Sequence, residues 1–104
     1  GISRKDYLSL FHLGLDRFAA KIKPQLIFIS AGWDAHRLDP VGNLGLEVED
    51  YGTLTNLVLD AAETYCGGRV ISVLEGGYDP EVIAESVVLH LGEMVKRRPA
   101  GKPE

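Results

Sequence analysis

The feature that most constrains the fold of this chain is a short apolar run, Leu26–Ile29, followed at once by small residues and then by a dense group of polar side chains. The run is too short for a helix and is rich in β-branched and aromatic residues, which predicts a strand buried on both faces. Arg69–Leu74 is a second run of the same kind. Two such strands separated by a helix form a parallel pair with a right-handed crossover.

Periodic apolar positions predict three helices around these strands. The first starts at the N-cap Ser3 and stops at Pro24, the second runs over about Val48–Tyr65, and the third starts at the N-cap Asp79. The residues expected to face the core from the first helix are Tyr7, Phe11, Leu15, Phe18 and Ile22. Those expected from the third are Val82, Ile83, Val87, Leu91, Met94 and Val95. The predicted order is helix, strand, helix, strand, helix, which is an α/β segment.

Length and composition narrow the class of protein. The 104 residues suffice for a single domain or for a piece of a larger one. A net charge of −4 without a basic patch argues against a nucleic-acid partner. The lack of a leader or a membrane-length apolar run predicts no membrane contact and a cytoplasmic location. Because the chain begins with Gly1, it is expected to be a fragment or a processed chain, with residues 99–104 as a disordered tail.

Polar and aromatic side chains follow both predicted strands. Asp34 lies in a long loop after the first strand, and long loops in compact domains are usually functional. Tyr78 follows the second strand in a short glycine-rich loop. Because parallel strands end at one edge of a sheet, we expect Asp34 and Tyr78 to lie near each other. A carboxylate held at that edge is a candidate metal ligand or catalytic acid.

An aspartate beside a glycine-flanked tyrosine suits zinc-dependent amide hydrolysis, in which zinc activates water and a phenol donates to the developing oxyanion. Spacing alone also makes His36 a candidate ligand, since it shares one side of an extended backbone with Asp34. The simpler interpretations are a turn carboxylate for Asp34 and a half-buried loop aromatic for Tyr78. Asp39 is most simply a turn residue, and His90 is expected to be a structural histidine.

Two motifs resemble signatures of the histone deacetylase family, which includes acetoin-utilisation proteins and acetylpolyamine amidohydrolases. They are ISAGWDAHRLDPVG at Ile29–Gly42 and VLEGGYD at Val73–Asp79. Both occur in the family's order and spacing, and the match runs from Ile2 to Val95. The resemblance implies that the chain is a segment of a three-layer arginase/deacetylase-like α/β fold with a parallel sheet.

The resemblance also implies roles for individual residues. Asp34 is similar to the family's zinc-binding aspartate, and Tyr78 to the tyrosine that donates to the tetrahedral intermediate. Gly76 and Gly77 resemble the loop that lines the acyl-lysine channel. His36 falls where bacterial members of the family often carry a histidine that is not a ligand, which argues against the hypothesis from spacing. The implied cofactor is Zn²⁺ in the complete enzyme, and the implied substrate is an acetylated protein or a small-molecule amide.

The chain lacks two sequence motifs that are typical of the family. It has no adjacent pair of histidines for general acid/base work and no second Asp-x-His motif for the remaining zinc ligands. It therefore resembles the C-terminal third of such a domain. One hypothesis is an enzyme segment that alone is inactive and binds no stoichiometric zinc. The other is a non-catalytic, truncated module that folds through self-association, because a two-stranded sheet leaves apolar surface uncovered.

Overall fold

A computed structural model of the chain describes residues 2–97, so the predicted tail at 99–104 lies outside the described residues. The elements, in chain order, are α1 (Arg4–Ile22), β1 (Ile27–Ala31), α2 (Val48–Cys66), β2 (Val70–Leu74) and α3 (Pro80–Lys96). The predicted order and the α/β class are confirmed. Within residues 2–97, no helix combines the length and the apolar character that crossing a membrane requires.

The two strands form a parallel sheet, as the crossover rule predicts. Ile27 lies opposite Val70 and Ala31 lies opposite Leu74, so both strands end at the same edge. β1 continues to Ala31, beyond the predicted end at Ile29, because the small residues there still pair with β2. This edge is where the two polar loops begin.

The helices start at the residues that the sequence identifies as caps. Ser3 Oγ accepts the N–H of Asp6 at 3.1 Å at the start of α1. Asp79 Oδ1 accepts the N–H groups of Glu81 and Val82, both at 3.1 Å, at the start of α3. Each bond satisfies an N–H group that has no partner inside the helix. The starts of α1 and α3 therefore follow from local chemistry.

Helix α2 is the centre of the segment, because it packs against both α1 and α3 and carries most of the residues buried in the described helices. The buried core cluster contains Ala31, Trp33, Leu46 and Tyr51. Partly buried side chains from the helices, from β1 and from the loop after it surround this cluster: Tyr7, Ile29, Ala35, Leu54, Ile83 and Val87. The core thus lies between one face of the sheet and the helices.

An ion pair joins the starts of α1 and α2. Arg4 donates to both carboxylate oxygens of Asp50, from Nε at 2.7 Å and from Nη2 at 3.0 Å. Burial disfavours the charged form of Asp50, but the hydrogen bonds from Arg4 and from the backbone N–H of Glu47, together with the positive charge of Arg4, outweigh burial and lower the pKa of its carboxyl. The same carboxylate accepts the N–H of Glu47, the N-cap of α2, at 2.8 Å. The pair therefore fixes the point where the loop from β1 enters α2.

The prediction that the strands are buried on both faces is wrong. Ile29 and Ala31 belong to the core side of the sheet, whereas Phe28 on the opposite face is 65% exposed. Ile71 and Val73 of β2 share this open face and are 46% and 47% exposed. Successive side chains of a strand point to opposite faces, and the described helices cover only one of them.

The apolar stripes predicted for α1 and α3 are only partly buried. Phe18 and Ile22 of α1 are more than half exposed, and so are Leu91 and Val95 of α3. α1 makes its main contacts with α2, and Ala19 is the residue of α1 that is buried. The helical period is as predicted, but within residues 2–97 no element covers the outer part of either stripe.

Candidate functional site

The loops that follow β1 and β2 are in direct contact at the carboxyl edge of the sheet. Trp33 N–H donates to the carbonyl oxygen of Gly76 at 2.9 Å, and Glu75 N–H donates to that of Ala31 at 2.9 Å. These bonds extend the parallel pairing beyond the strands. The meeting of the two loops that the sequence predicted is therefore confirmed.

The carboxylate of Asp34 lies between two glycines, one from each loop. A Cβ atom added to Gly32 would lie 3.2 Å from Oδ1 of Asp34, and one added to Gly76 would lie 3.1 Å from Oδ2. A side chain at either glycine would therefore displace the carboxylate. In the part of the chain that the structure describes, no N–H group donates to these two oxygens. The carboxylate is half-buried and lines a cavity of about 350 Å³.

Neutral groups surround Asp34 in this cavity. Burial raises the pKa of Tyr51, and the negative charge of Asp34 raises it further, so this phenol is neutral at neutral pH. The Nε1 atom of Trp33 has no hydrogen-bond partner among residues 2–97. Asp34 is the one carboxylate among the described residues that line the cavity. The oxygens of this carboxylate are donors that a cation could use.

The loop that carries Asp34 is held by its own backbone hydrogen bonds. Asn43 N–H donates to the carbonyl oxygen of Asp34 at 2.9 Å, and Leu46 N–H donates to that of Ala35 at 3.1 Å. A Cβ atom at Gly42 would overlap the carbonyl oxygen of Asp34, so only glycine fits at this crossing. The long loop is thus folded back on itself and fixes the position of Asp34.

Trp33 joins both loops to the core. It is buried, and its ring meets Tyr51 and His90 edge-on at centroid distances of 5.1 and 5.3 Å. A Cβ atom at Gly77 would lie 3.0 Å from Cβ of Trp33, and Gly77 has a φ of 132°. Glycine is therefore required at Gly77 for space and for backbone conformation.

The geometry does not support His36 as a partner of Asp34. His36 is buried, and its Nδ1 atom accepts the N–H of Leu38 at 3.1 Å. The proton of the neutral ring is therefore on Nε2, which lies 3.7 Å from Oε1 of Glu47. His36 also lines a different cavity from the one that Asp34 lines. The spacing of the two residues suggested a shared site, but the fold of the loop separates them.

Thr55, His90 and Ser72 form a row of hydrogen bonds between α2, α3 and β2. Thr55 Oγ1 donates to the carbonyl oxygen of Tyr51 at 2.7 Å and lies 2.8 Å from Nδ1 of His90. Because Thr55 has a single hydroxyl proton, Nδ1 carries the ring proton, and Nε2 accepts from Ser72 Oγ at 2.8 Å. Burial lowers the pKa of His90 and keeps it neutral. The structural role predicted for His90 fits this arrangement.

Asp39 links the loop after β1 to the loop after β2. The sequence analysis did not predict this role of Asp39. Its Oδ1 atom accepts the N–H of Tyr78 at 2.8 Å, and its Oδ2 atom accepts those of Val41 and Gly42, both at 2.9 Å. Burial opposes the charge of Asp39, but backbone N–H groups, including those of Gly42 and Tyr78, outweigh burial and lower the pKa of its carboxyl. The predicted turn role accounts for the bonds to Val41 and Gly42 but not for the bond to Tyr78.

The carboxylate of Asp34 is the candidate donor to a zinc ion. Among residues 2–97, no three or more His, Cys, Asp or Glu side chains are grouped so that they could hold a metal ion. The carboxylate oxygens of Asp34 are a donor type that zinc accepts, and the glycines beside them leave space for a ligand. A catalytic zinc takes three protein ligands, so Asp34 alone would not complete such a site.

Comparison with known proteins identifies the family. The family model of the histone deacetylase domain matches residues 1–94. The chain belongs to the histone deacetylase family. Members of this family generally depend on zinc and act on acetylated substrates.

This family member matches relatives and a solved structure over a small part of their lengths. A type-2 histone deacetylase 2 from Dictyostelium discoideum is 56% identical over 59 residues, which are 57% of this chain and 4% of that protein. The polyamine deacetylase HDAC10 of Mus musculus is 37% identical over 89 residues, 86% of this chain and 13% of that protein. The crystal structure of the HDA15 HD domain matches with a TM-score of 0.78 and 31% identity, over 97% of this chain and 28% of that one.

Proposed function

We propose that this chain is the part of a zinc-dependent deacetylase that supplies one zinc ligand, Asp34, and the oxyanion-stabilising phenol of Tyr78. The observation that carries the proposal is the contact of Gly76 with the carboxylate of Asp34, because it brings the tyrosine loop against the candidate ligand. The reaction is hydrolysis of an amide such as acetyl-lysine or another acetylated amine.

Each residue has one task in this reaction. Asp34 holds the metal through an oxygen to which no described N–H group donates. Zinc, when bound, polarises the acyl carbonyl and lowers the pKa of a water molecule. Tyr78, which is 56% exposed, donates a neutral hydrogen bond to the carbonyl oxygen as negative charge develops on it. Gly76 and Gly77 let the acyl-lysine chain approach the backbone closely.

The chain performs this reaction only as part of a longer polypeptide. The family's adjacent histidines, which transfer protons, are absent from this sequence, and so is its earlier Asp-x-His pair. We therefore expect the 104-residue chain alone to bind no stoichiometric zinc and to show no turnover of an acetyl-lysine reporter. A one-to-one zinc complex with turnover would contradict this part of the proposal.

Asp34→Ala is expected to abolish zinc binding and deacetylation in a polypeptide that carries this segment within a complete deacetylase domain. Loss of a direct ligand should weaken zinc binding by more than the ~10–100-fold that loss of an outer-shell partner costs. Zinc content after dialysis and hydrolysis of an acetyl-lysine reporter measure the two effects.

Asp60→Ala is the matched control for this variant, because Asp60 lies on the surface of α2 and pairs with Arg97 at 2.7 Å. We expect it to retain zinc and activity. Full zinc content in Asp34→Ala would remove Asp34 from the metal site and would leave the proposed function without its central residue.

One observation favours the second candidate function, a non-catalytic module that associates with itself. Phe28, Ile71 and Val73 form the open face of the sheet and are roughly half or more exposed. Each strand also has an edge that no other described strand pairs with. Open faces and edges of this kind promote association. We propose that the isolated chain buries the open face against a second copy.

The isolated chain is accordingly expected to elute as a dimer or a larger species, and Phe28→Lys is expected to shift it toward the monomer. A charge on the open face has to be desolvated when that face is buried. Light scattering during size-exclusion chromatography measures the mass. Val88→Lys is the control for the added charge, because Val88 is 73% exposed and belongs to α3 and not to either strand. A monomeric wild-type chain, or equal shifts in both variants, would contradict the proposal.

A further inference from the structure

We propose that Asp39 is a positioning residue whose buried carboxylate fixes the backbone of Tyr78 to the loop that carries Asp34. The inference rests on the proposed function, because it concerns how the phenol of Tyr78 is held beside the candidate zinc ligand. It assigns to Asp39 a task that a turn residue does not have.

The two oxygens of Asp39 serve different loops. Oδ1 accepts the N–H of Tyr78 from the loop after β2, at 2.8 Å. Oδ2 accepts the N–H groups of Val41 and Gly42 from its own loop, at 2.9 Å each. Asp39 is 3% exposed, and a carboxylate is rarely buried to this extent unless it is fully hydrogen-bonded.

The same loop segment also meets Asp34. Gly42, which donates to Asp39, lies directly against the carbonyl oxygen of Asp34, and Gly76 lies against the carboxylate of Asp34. Asp39 therefore closes a ring of contacts that runs from Asp34 through Gly42 and Asp39 to Tyr78 and back through Gly76. A change at Asp39 should loosen the tyrosine relative to the aspartate without removing either side chain.

A carboxylate is required at Asp39, because both of its oxygens accept. In Asp39→Asn one oxygen becomes an NH₂ group, which donates and cannot accept. Either the N–H of Tyr78 or those of Val41 and Gly42 then lose their acceptor. Asp79 offers a matched contrast, since its Oδ1 atom alone accepts both of its N–H donors. Asp79→Asn can therefore keep both bonds through its amide oxygen.

The test compares backbone amide hydrogen exchange at Tyr78 in the wild-type chain, Asp39→Asn and Asp79→Asn by NMR. In Asp39→Asn the Tyr78 amide is expected to exchange about tenfold faster or more, because a charge-assisted hydrogen bond is lost. In Asp79→Asn it should stay within about twofold of wild type, since Asn and Asp are comparable N-caps. Asp39→Glu, which restores two accepting oxygens, should recover part of the protection.

Three results would overturn the inference. The first is an unprotected Tyr78 amide in the wild-type chain. The second is equal acceleration in Asp39→Asn and Asp79→Asn. The third is acceleration at Tyr78 only together with the amides of α2, which would give Asp39 a general structural role. Exchange is measured without turnover, so its outcome is independent of whether the proposed deacetylase activity is found.

The effect of Asp39→Asn on catalysis is measured in a separate experiment. The variant is made in a polypeptide that has been shown to bind zinc and to hydrolyse the acetyl-lysine reporter. There Asp39→Asn is expected to lower kcat by about 10- to 100-fold, the size of effect that misplacing a catalytic group has. KM and zinc content should change little, because no substrate or metal contact is removed. An unchanged kcat in that polypeptide would also overturn the inference.

Discussion

Tyr78→Phe is expected to lower kcat by roughly 10²–10³-fold in a complete deacetylase domain that carries this segment, which is the usual cost of losing one oxyanion donor. The phenol is proposed to act only as negative charge develops on the carbonyl oxygen, so its loss should affect kcat more than KM. Zinc content should be unchanged, because the proposed ligand of this chain is Asp34. Steady-state kinetics and a zinc assay on the same preparation measure these three quantities.

Tyr65→Phe is the control for the loss of a phenol, since Tyr65 lies in the last turn of α2 and not in either loop. It is expected to have wild-type kinetics. If Tyr78→Phe retained full kcat with zinc bound, the oxyanion role would be wrong. If it lost zinc as well, the phenol would have a role in the metal site itself.

Trp33→Ala is expected to destabilise the fold by about 3–5 kcal/mol, the usual cost of truncating a buried large aromatic residue. Trp33 is 3% exposed and packs against Tyr51, His90 and the backbone of Gly77. Its loss leaves a cavity at the point where both loops join the core. Urea unfolding should be followed by circular dichroism, because Trp33 is the single tryptophan of the chain.

Phe18→Ala is the matched control for Trp33→Ala. Phe18 is also a large aromatic residue, but it is 66% exposed on α1. Substitutions at exposed positions usually change the free energy of unfolding by no more than about 0.5 kcal/mol. Comparable losses in the two variants would mean that the core is not centred on Trp33. Such a result would also remove the physical reason for the fixed position of the two loops.

Much of the fold follows from sequence patterns that act over short distances. Ser3 and Asp79 start helices because their side chains accept N–H groups two or three residues away. The meeting of the Asp34 and Tyr78 loops was also predictable, although the residues are far apart in the chain. It needs only two parallel strands, and the crossover rule supplies them.

Burial was predicted less well, because it depends on what covers a surface. Phe28 and Val73 have the apolar character of residues in a sheet covered on both faces, yet both are exposed in the described structure. The chain spans 28% of the solved HDA15 domain that it matches. Apolar residues on both faces of a strand indicate that the strand is suited to a sheet with both faces covered. In this segment the described helices cover only one face of the sheet.

The sequence by itself determined the order of the elements, the helix starts, the pairing of the strands and the two loops that meet at the edge of the sheet. Only the tertiary structure decided that His36 faces Glu47 and that Asp39 holds the backbone of Tyr78. The physical reason is the range of the interactions. Caps and periodicity act within a few residues, whereas the direction of a loop side chain depends on how the loop folds back and on which distant backbone groups it meets.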